Sequence, residues 1–149
     1  MKLNSQPSVH VAALLLRVAL GVLFLAHAFL KILVFTLPGT VSFFGSLGLP
    51  PALAYSVLAL EVAGGVALLV GYRVSLVAIP LIADLLGAIV MVHGKNGWLF
   101  TSKGGGWEFL ALWIVALVVL ALLGDGKWSV TRARAERTRS RSTALAAPE

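Results

Sequence analysis

The sequence predicts an all-α integral membrane protein: a four-helix bundle with both termini in the cytoplasm. Composition is the first reason, because 59% of the 149 residues are hydrophobic, only 12% are charged, and the mean hydropathy is +0.96. Soluble domains of average composition are far less apolar. The second reason is that the apolar residues fall into four segments of about 20 residues, enough to cross a hydrocarbon core of about 30 Å. The third is that Lys and Arg collect on one side of these segments.

The four apolar segments cover residues 11–33, 52–71, 74–92 and 106–123. Periodicity alone does not separate helix from strand here. Lipid offers no partner to exposed backbone groups, however, so segments of this length are expected to be helices. Pro and Gly bound the first connection, Gly71-Tyr72-Arg73 forms a tight second turn, and the third connection is rich in glycine. We therefore expect one membrane domain, residues 1–130, followed by a tail, residues 131–149.

Basic residues are distributed asymmetrically around the segments. Only Lys95 and Lys103 flank them on one side, whereas eight basic residues lie on the other: Lys2, Arg73, Lys127, Arg132, Arg134, Arg137, Arg139 and Arg141. The bias of Lys and Arg toward the cytoplasm then places both termini inside. The tail has no apolar periodicity, so we expect it to be disordered and to lie on the anionic inner leaflet. It carries no aromatic residue to stack on bases, so no nucleic-acid partner is expected.

The stretch FLAHAFLKIL, residues 24–33, places a histidine and a lysine inside the first apolar segment. The small residues Ala26 and Ala28 are compatible with the cleavage site of a signal peptide. Two features favour a membrane helix that carries charge instead. Arg17 interrupts the apolar run, and apolar sequence continues past the cleavage point.

Three charged residues compute to the deeper part of the bilayer, where charge is costly and raises a functional hypothesis. With a rise of about 1.5 Å per residue, Arg17 and Glu61 lie within one arginine side chain of each other and are expected to form a buried ion pair. Asp84 follows Pro80 by four residues and is a candidate intramembrane proton site. It lies beside a proline kink that takes a water or polar ligand, or it is protonated, or it pairs with Arg17.

A second group, His27, Lys31, His93 and Glu108, computes to the outer third of the bilayer. These residues form a candidate outer site that could hydrogen-bond a quinone or a small sulfur oxyanion. In the structural alternatives, Lys31 pairs with Glu108 or reaches the interface, and Glu108 occupies the first turn of a helix. His27 and His93 alone are a weak signal for a haem site, so no haem is expected. The same two histidines with Glu108 are a weak signal for a metal site, so no metal is expected either. The chain has no cysteine and therefore no thiol redox pair.

Several motifs occur in an order that resembles a known family. Arg17 and Gly21 open the first segment, and His27 and Lys31 close it. They are followed by GSLGLP (45–50), LEVAGGVALLVGYR (60–73), GGWEFLALW (105–113) and GDGKWSV (124–130). Within the second motif, Gly64-Gly65 predicts a close helix approach. This set is similar to the DoxX family of small four-helix membrane proteins over about residues 11–130. One departure is Ala28, where the family commonly has glycine.

The resemblance implies a function as well as a fold. The family takes its name from a subunit of an archaeal thiosulfate:quinone oxidoreductase and terminal oxidase system, and a mycobacterial member is linked to a membrane oxidoreductase complex. By this resemblance we expect a bacterial inner-membrane subunit of a quinone-linked oxidoreductase or of an oxidative or thiol stress assembly. Its cofactor would be a quinone and its partners other oxidoreductase subunits. A small proton- or ion-coupled transporter and a structural assembly factor are the alternatives. The oligomeric state is left open, as is catalysis by the chain alone.

Overall fold

The structure, a computed structural model, describes residues 7–145. Its regular elements are six α-helices: α1 (Pro7–Phe29), α2 (Leu37–Ser46), α3 (Pro51–Val70), α4 (Val74–Ala88), α5 (Glu108–Leu123) and α6 (Val130–Leu145). π-Helical turns extend α1 over Leu30–Val34 and α4 over Ile89–His93, and a 3-10 turn follows over Gly94–Asn96. The predicted all-α class is confirmed. Lys2 and tail residues 146–149 lie outside the described residues.

Among residues 7–145, three helical stretches are long and apolar enough to cross a membrane: Pro7–Val34, Pro51–Val70 and Val74–Asn96. Helix α5 is also apolar but has only 16 residues, a length of about 24 Å. The prediction of a helical membrane protein is therefore confirmed. A fourth crossing by α5 and the orientation of the termini stay predictions.

Helix α2 lies in the first connection, where the sequence analysis expects only a loop. Thr36 caps its start, since its Oγ1 accepts a hydrogen bond from the Gly39 amide at 3.2 Å, and Pro38 fits the first turn. Thr40 is buried and donates from Oγ1 to the carbonyl of Lys31 at 2.9 Å. Helix α2 is thus fastened to the π-helical end of α1.

Helices α1 and α3 run antiparallel and cross closely at two glycines. A Cβ on Gly21 would lie 2.9 Å from the Gly65 carbonyl oxygen, and one on Gly65 would lie 3.0 Å from the Gly21 carbonyl oxygen. Gly64 faces α4, where a Cβ would lie 2.7 Å from Cδ2 of Leu81. The close approach predicted from Gly64-Gly65 is confirmed. Around it, α1, α3, α4 and α5 share one core whose largest fully buried side chains are Phe24, Leu68, Val74, Leu81, Leu117 and Leu120.

Helix α6 stands where the sequence analysis predicts a disordered tail. The side chains of residues 132–142 are exposed, so burial does not hold this helix in place. Part of its support is local: Arg and Ala have high helix propensity, and Arg132 pairs with Glu136 one turn later at 3.3 Å. At its start it is also held by a contact distant in sequence, since Thr131 Oγ1 donates to the Gly71 carbonyl at 3.1 Å. The expectation of disorder considered burial alone and left out helix propensity, the ion pair and this hydrogen bond.

Candidate functional site

An ion pair inside the bundle joins Lys31 to Glu61. Lys31 Nζ lies 2.6 Å from Glu61 Oε1, and the side chains are 25% and 5% exposed. The second carboxylate oxygen, Oε2, is also buried and has no hydrogen-bond partner among the described residues. This carboxylate is therefore half satisfied by the lysine and leaves one acceptor open inside the bundle.

The expected Arg17–Glu61 pair is not formed, and the direction of side chains on a helix gives the reason. Each side chain leans toward the N-terminus of its own helix. Glu61 leans toward the start of α3, which is the end of the bundle where Lys31 lies, and Lys31 leans back toward it. Arg17 leans toward the start of α1, away from Glu61. Heights computed from Cα positions alone miss this convergence.

Arg17 instead closes the opposite end of the bundle. It is 3% exposed, and its guanidinium donates to the carbonyls of Leu68 at 3.3 Å and Leu69 at 2.7 Å, and also to the carbonyl of Trp128. The carbonyls in the last turn of a helix have no intrahelical partner, so Arg17 acts as a C-terminal cap of α3. It also ties the segment after α5 to α3, which makes its role structural.

Asp84 completes a central polar cluster, by which we mean Lys31, Glu61 and Asp84. Its side chain is half-buried on α4, and it interacts electrostatically with both Glu61 and Lys31. A pairing of Asp84 with Arg17 was one alternative from the sequence, but the structure places Asp84 within electrostatic range of Lys31 instead. Two carboxylates and one ammonium carry a formal charge of −1 when all are ionised, which is costly inside a bilayer.

One helical turn before Lys31, His27 packs against Trp113 of α5. Their ring centroids are 4.9 Å apart in an edge-on arrangement, and Phe24 contacts the same indole at 4.6 Å. His27 Nδ1 lies 2.9 Å from the Leu23 carbonyl. A carbonyl only accepts, so Nδ1 carries the proton and Nε2 is left as an acceptor in the neutral ring. Trp113 is 5% exposed, and its Nε1 finds no acceptor in the part of the chain that the structure describes.

His27, which contacts Trp113, and Lys31, which contacts Glu61, share one face of α1 and its π-helical extension. At 100° per residue, Phe24, His27 and Lys31 lie within about 60° of one another. This face presents an imidazole, an ammonium and aromatic rings to the middle of the bundle. Next to them lie a buried donor, the indole N–H of Trp113, and a buried acceptor, Glu61 Oε2, both of which lack partners among the described residues.

The other two members of the predicted outer site contact the third connection. Glu108 Oε1 accepts a hydrogen bond from the Phe100 amide at 2.9 Å, and Glu108 lies in the first turn of α5. His93 Nδ1 lies 3.0 Å from the Gly105 carbonyl. The alternative Lys31–Glu108 pair is not formed, because Lys31 contacts Glu61 and Glu108 holds the loop. The outer set is therefore divided: His27 and Lys31 contact Trp113 and Glu61, whereas His93 and Glu108 contact the third connection.

No group of three or more His, Cys, Asp or Glu side chains that could hold a metal ion is found among residues 7–145. The imidazoles of His27 and His93 each have one nitrogen engaged by a backbone carbonyl.

Comparison with known proteins gives two matches. The DoxX family model matches residues 12–94, more than half of the chain. A protein of Bacillus subtilis (strain 168) described as "Putative oxidoreductase CatD" is 36% identical over 118 residues, which cover 79% of this chain and 83% of that protein. The chain belongs to the DoxX family. No solved structure matches it.

The DoxX match spans α1 to the end of the α4 extension and so contains Lys31, Glu61 and Asp84. Trp113 lies beyond it, in the GGWEFLALW motif, and the sequence analysis did not select it. Trp113 could have been selected from the sequence, because a tryptophan one turn into an apolar helix is expected to be buried. A buried indole N–H usually needs a hydrogen-bond acceptor, which makes such a residue a candidate for ligand contact. The GDGKWSV motif, also beyond the match, has a structural role: Asp125 accepts from the Val74 amide at 2.6 Å and caps α4.

Proposed function

We propose that this DoxX protein is a subunit of a quinone-linked oxidoreductase in the bacterial inner membrane. In this proposal the face of α1 that bears His27 and Lys31 holds the quinone ring. The observation that carries it is the pair of orphaned buried atoms beside this face, the indole N–H of Trp113 and Glu61 Oε2. A quinone carbonyl could accept a hydrogen bond from the Trp113 indole N–H, and a quinol hydroxyl could donate one to Glu61 Oε2. The two atoms therefore suit both redox forms of the substrate.

The aromatic side chains beside the face suit a flat ring. Phe24 and Phe109 flank Trp113 at centroid distances of 4.6 and 5.7 Å, and Phe24 is fully buried. An apolar pocket with a few fixed polar groups is the usual form of a small-molecule site. The family membership and the oxidoreductase name of the Bacillus relative support the same class of function.

In this proposal, the residues of the chain handle protons and leave electron transfer to a partner. Reduction of a quinone to a quinol consumes two electrons and two protons. Asp84 would relay these protons: taking up a proton removes the excess negative charge of the central polar cluster, and releasing it to the quinone restores that charge. The chain has no cysteine thiols, so we assign the electrons to a partner oxidoreductase subunit.

Quinone binding tests the proposal directly. The purified protein in detergent would be extracted with solvent to quantify co-purified quinone, and then titrated with decylubiquinone while thermal unfolding is followed. We expect Trp113→Phe and Glu61→Gln each to weaken binding about tenfold, the loss of one hydrogen bond of about 1.4 kcal/mol. Trp98→Phe, in the exposed third connection, is the matched control and should bind like the unchanged protein. Equal affinity in all four proteins, or no binding at all, would refute the quinone site.

Proton- or cation-coupled transport is the second candidate function. The excess negative charge of the central polar cluster is the observation that favours it, because a buried anionic site takes up a proton or a monovalent cation. Reconstituted liposomes with an imposed pH gradient and an internal pH dye would measure this activity. Proton flux that is abolished by Asp84→Asn and kept by Lys103→Gln would support transport. If the unchanged protein shows no flux, transport is refuted and the oxidoreductase proposal is unaffected.

A further inference from the structure

Two arginine side chains contact the ring of Tyr72 at the end of the bundle where α3 is joined to α4. The guanidinium carbon of Arg73 lies 5.8 Å from the ring centroid, and that of Arg134 lies 5.7 Å from it. Both distances are within the range of a cation–π contact. One arginine belongs to the α3–α4 turn and the other to α6, so the structure brings two positive charges from separate elements to one ring.

Hydrogen bonds fix this arrangement. Thr131 Oγ1 donates to the Gly71 carbonyl at 3.1 Å and accepts from the Arg73 amide at 2.8 Å. Arg73 has a φ of +45°, in the left-handed region that non-glycine residues rarely adopt, at a cost of about 1 kcal/mol. The turn and the start of α6 are thus joined by one threonine side chain, which positions Arg73 and Arg134 relative to Tyr72.

Among residues 7–145, neither Arg73 nor Arg134 forms an ion pair with an acidic side chain. The ion pairs Lys31–Glu61 and Arg132–Glu136 involve other basic residues. Asp125, the acidic residue closest in sequence to α6 on its N-terminal side, accepts from the Val74 amide at the start of α4. Two guanidinium groups on one ring repel each other, and an anion that contacts both would remove that repulsion.

We propose that Tyr72, Arg73 and Arg134 form a binding site for a phosphate oxyanion, supplied by the headgroup of an anionic phospholipid. Guanidinium groups bind phosphate oxygens through paired N–H donors, a geometry that a monatomic chloride cannot match. The site lies where two apolar spans end, and Tyr72 and Trp128 are both half-exposed there, as aromatic residues at a membrane interface commonly are. The bound headgroup would hold α6 to the membrane surface. This proposal is independent of the quinone site.

The test is thermal unfolding in dodecylmaltoside with added lipid. Phosphatidylglycerol should raise the Tm of the unchanged protein by about 5 °C, whereas phosphatidylcholine should not. The Arg73→Gln/Arg134→Gln variant should lose this shift. The control, Arg137→Gln/Arg141→Gln, removes the same charge from exposed positions of α6 and should keep it. Native mass spectrometry of bound phosphatidylglycerol gives a second readout that does not depend on stability.

Inorganic phosphate distinguishes the two sources of the oxyanion. If millimolar phosphate reproduces the shift and the Arg73→Gln/Arg134→Gln variant abolishes it, the phosphate site stands but its ligand is soluble, and the assignment to lipid is overturned. A shift that is equal in both double variants would show that general positive charge is responsible and would refute the site. The absence of any shift and of any retained lipid would refute it as well.

Discussion

Lys31 and Glu61 show how much one side-chain contact matters when the surroundings are apolar. The ammonium and the carboxylate are 2.6 Å apart, and the carboxylate is almost fully buried. Such a pair contributes little net stability compared with apolar residues of the same size, but removing one partner leaves a buried charge alone. The pair is also the part of the central polar cluster that the proposed function uses most directly.

A double-mutant cycle measures this coupling. Lys31→Met and Glu61→Gln should each destabilise the protein by about 3 to 5 kcal/mol, and the combined variant should lose much less than their sum. Unfolding in mixed micelles with increasing dodecyl sulfate supplies the free energies. Additive losses would show that the two side chains act independently.

Arg17 is predicted to be a structural residue and not part of a binding site. Replacing it with lysine removes the planar group that reaches the carbonyls of Leu68, Leu69 and Trp128. We expect Arg17→Lys to cost about 2 kcal/mol or more in the same unfolding assay, because buried carbonyls lose their donors. Arg141→Gln, exposed on α6, is the control and should be neutral. Loss of quinone binding by Arg17→Lys without loss of stability would contradict the structural role.

At the scale of elements, the crossing of α1 and α3 depends on the absence of two Cβ atoms. A methyl group on Gly65 would lie 3.0 Å from the Gly21 carbonyl oxygen and 2.9 Å from Cγ of Leu25. The helices must then move apart, so we expect Gly65→Ala to destabilise the protein by about 1 to 3 kcal/mol. Gly87→Ala in α4 is the matched control, because nothing lies within 4 Å of its added methyl. That variant should be neutral or slightly stabilising. Equal effects would show that the crossing is not tightly packed.

The third connection is a folded loop whose carbonyls converge on Gly106. The Gly106 amide donates to the Leu99 carbonyl at 3.0 Å, and the Glu108 amide donates to the Trp98 carbonyl at 3.0 Å. Glu108 adds a side-chain acceptor for the Phe100 amide. The loop is therefore held from the first turn of α5.

Glu108→Gln should loosen this loop and leave the proposed site unchanged. An amide oxygen is a weaker acceptor than a carboxylate, so we expect faster hydrogen exchange at the amides of residues 98–102, measured by mass spectrometry. Decylubiquinone affinity should stay the same. If exchange is unchanged and affinity falls, Glu108 belongs to the ligand site as the sequence analysis expected.

At the scale of the whole molecule, charge asymmetry predicts topology. Eight flanking Lys and Arg residues lie on one side of the predicted spans and two on the other, which places both termini in the cytoplasm. A C-terminal alkaline phosphatase fusion should be inactive and a green fluorescent protein fusion should be bright. The reverse pattern, or a mature chain beginning at Phe29, would contradict this prediction. An odd number of crossings would also contradict it, which makes the test informative about α5.

The primary structure alone was enough to predict the all-helical membrane class, the positions of the four apolar helices and the close packing at Gly64-Gly65. These features follow from local quantities: the length of apolar runs, the demand of lipid for paired backbone groups, and the size of side chains. The sequence also selected the residues that carry charge inside the bundle, because each is conspicuous among apolar neighbours.

Which of these charged residues contact one another depends on how the helices pack. Glu61 pairs with Lys31 because antiparallel helices lean their side chains toward opposite ends, and Arg17 is left to cap α3. Glu108 and His93 do not join His27 and Lys31 in one site, because their side chains hydrogen-bond to the backbone of the third connection. Trp113 joins the site because α5 packs its indole against His27 and Phe24. Helix rotation, side-chain direction and loop closure depend on contacts distant in sequence, so heights along isolated helices cannot supply them.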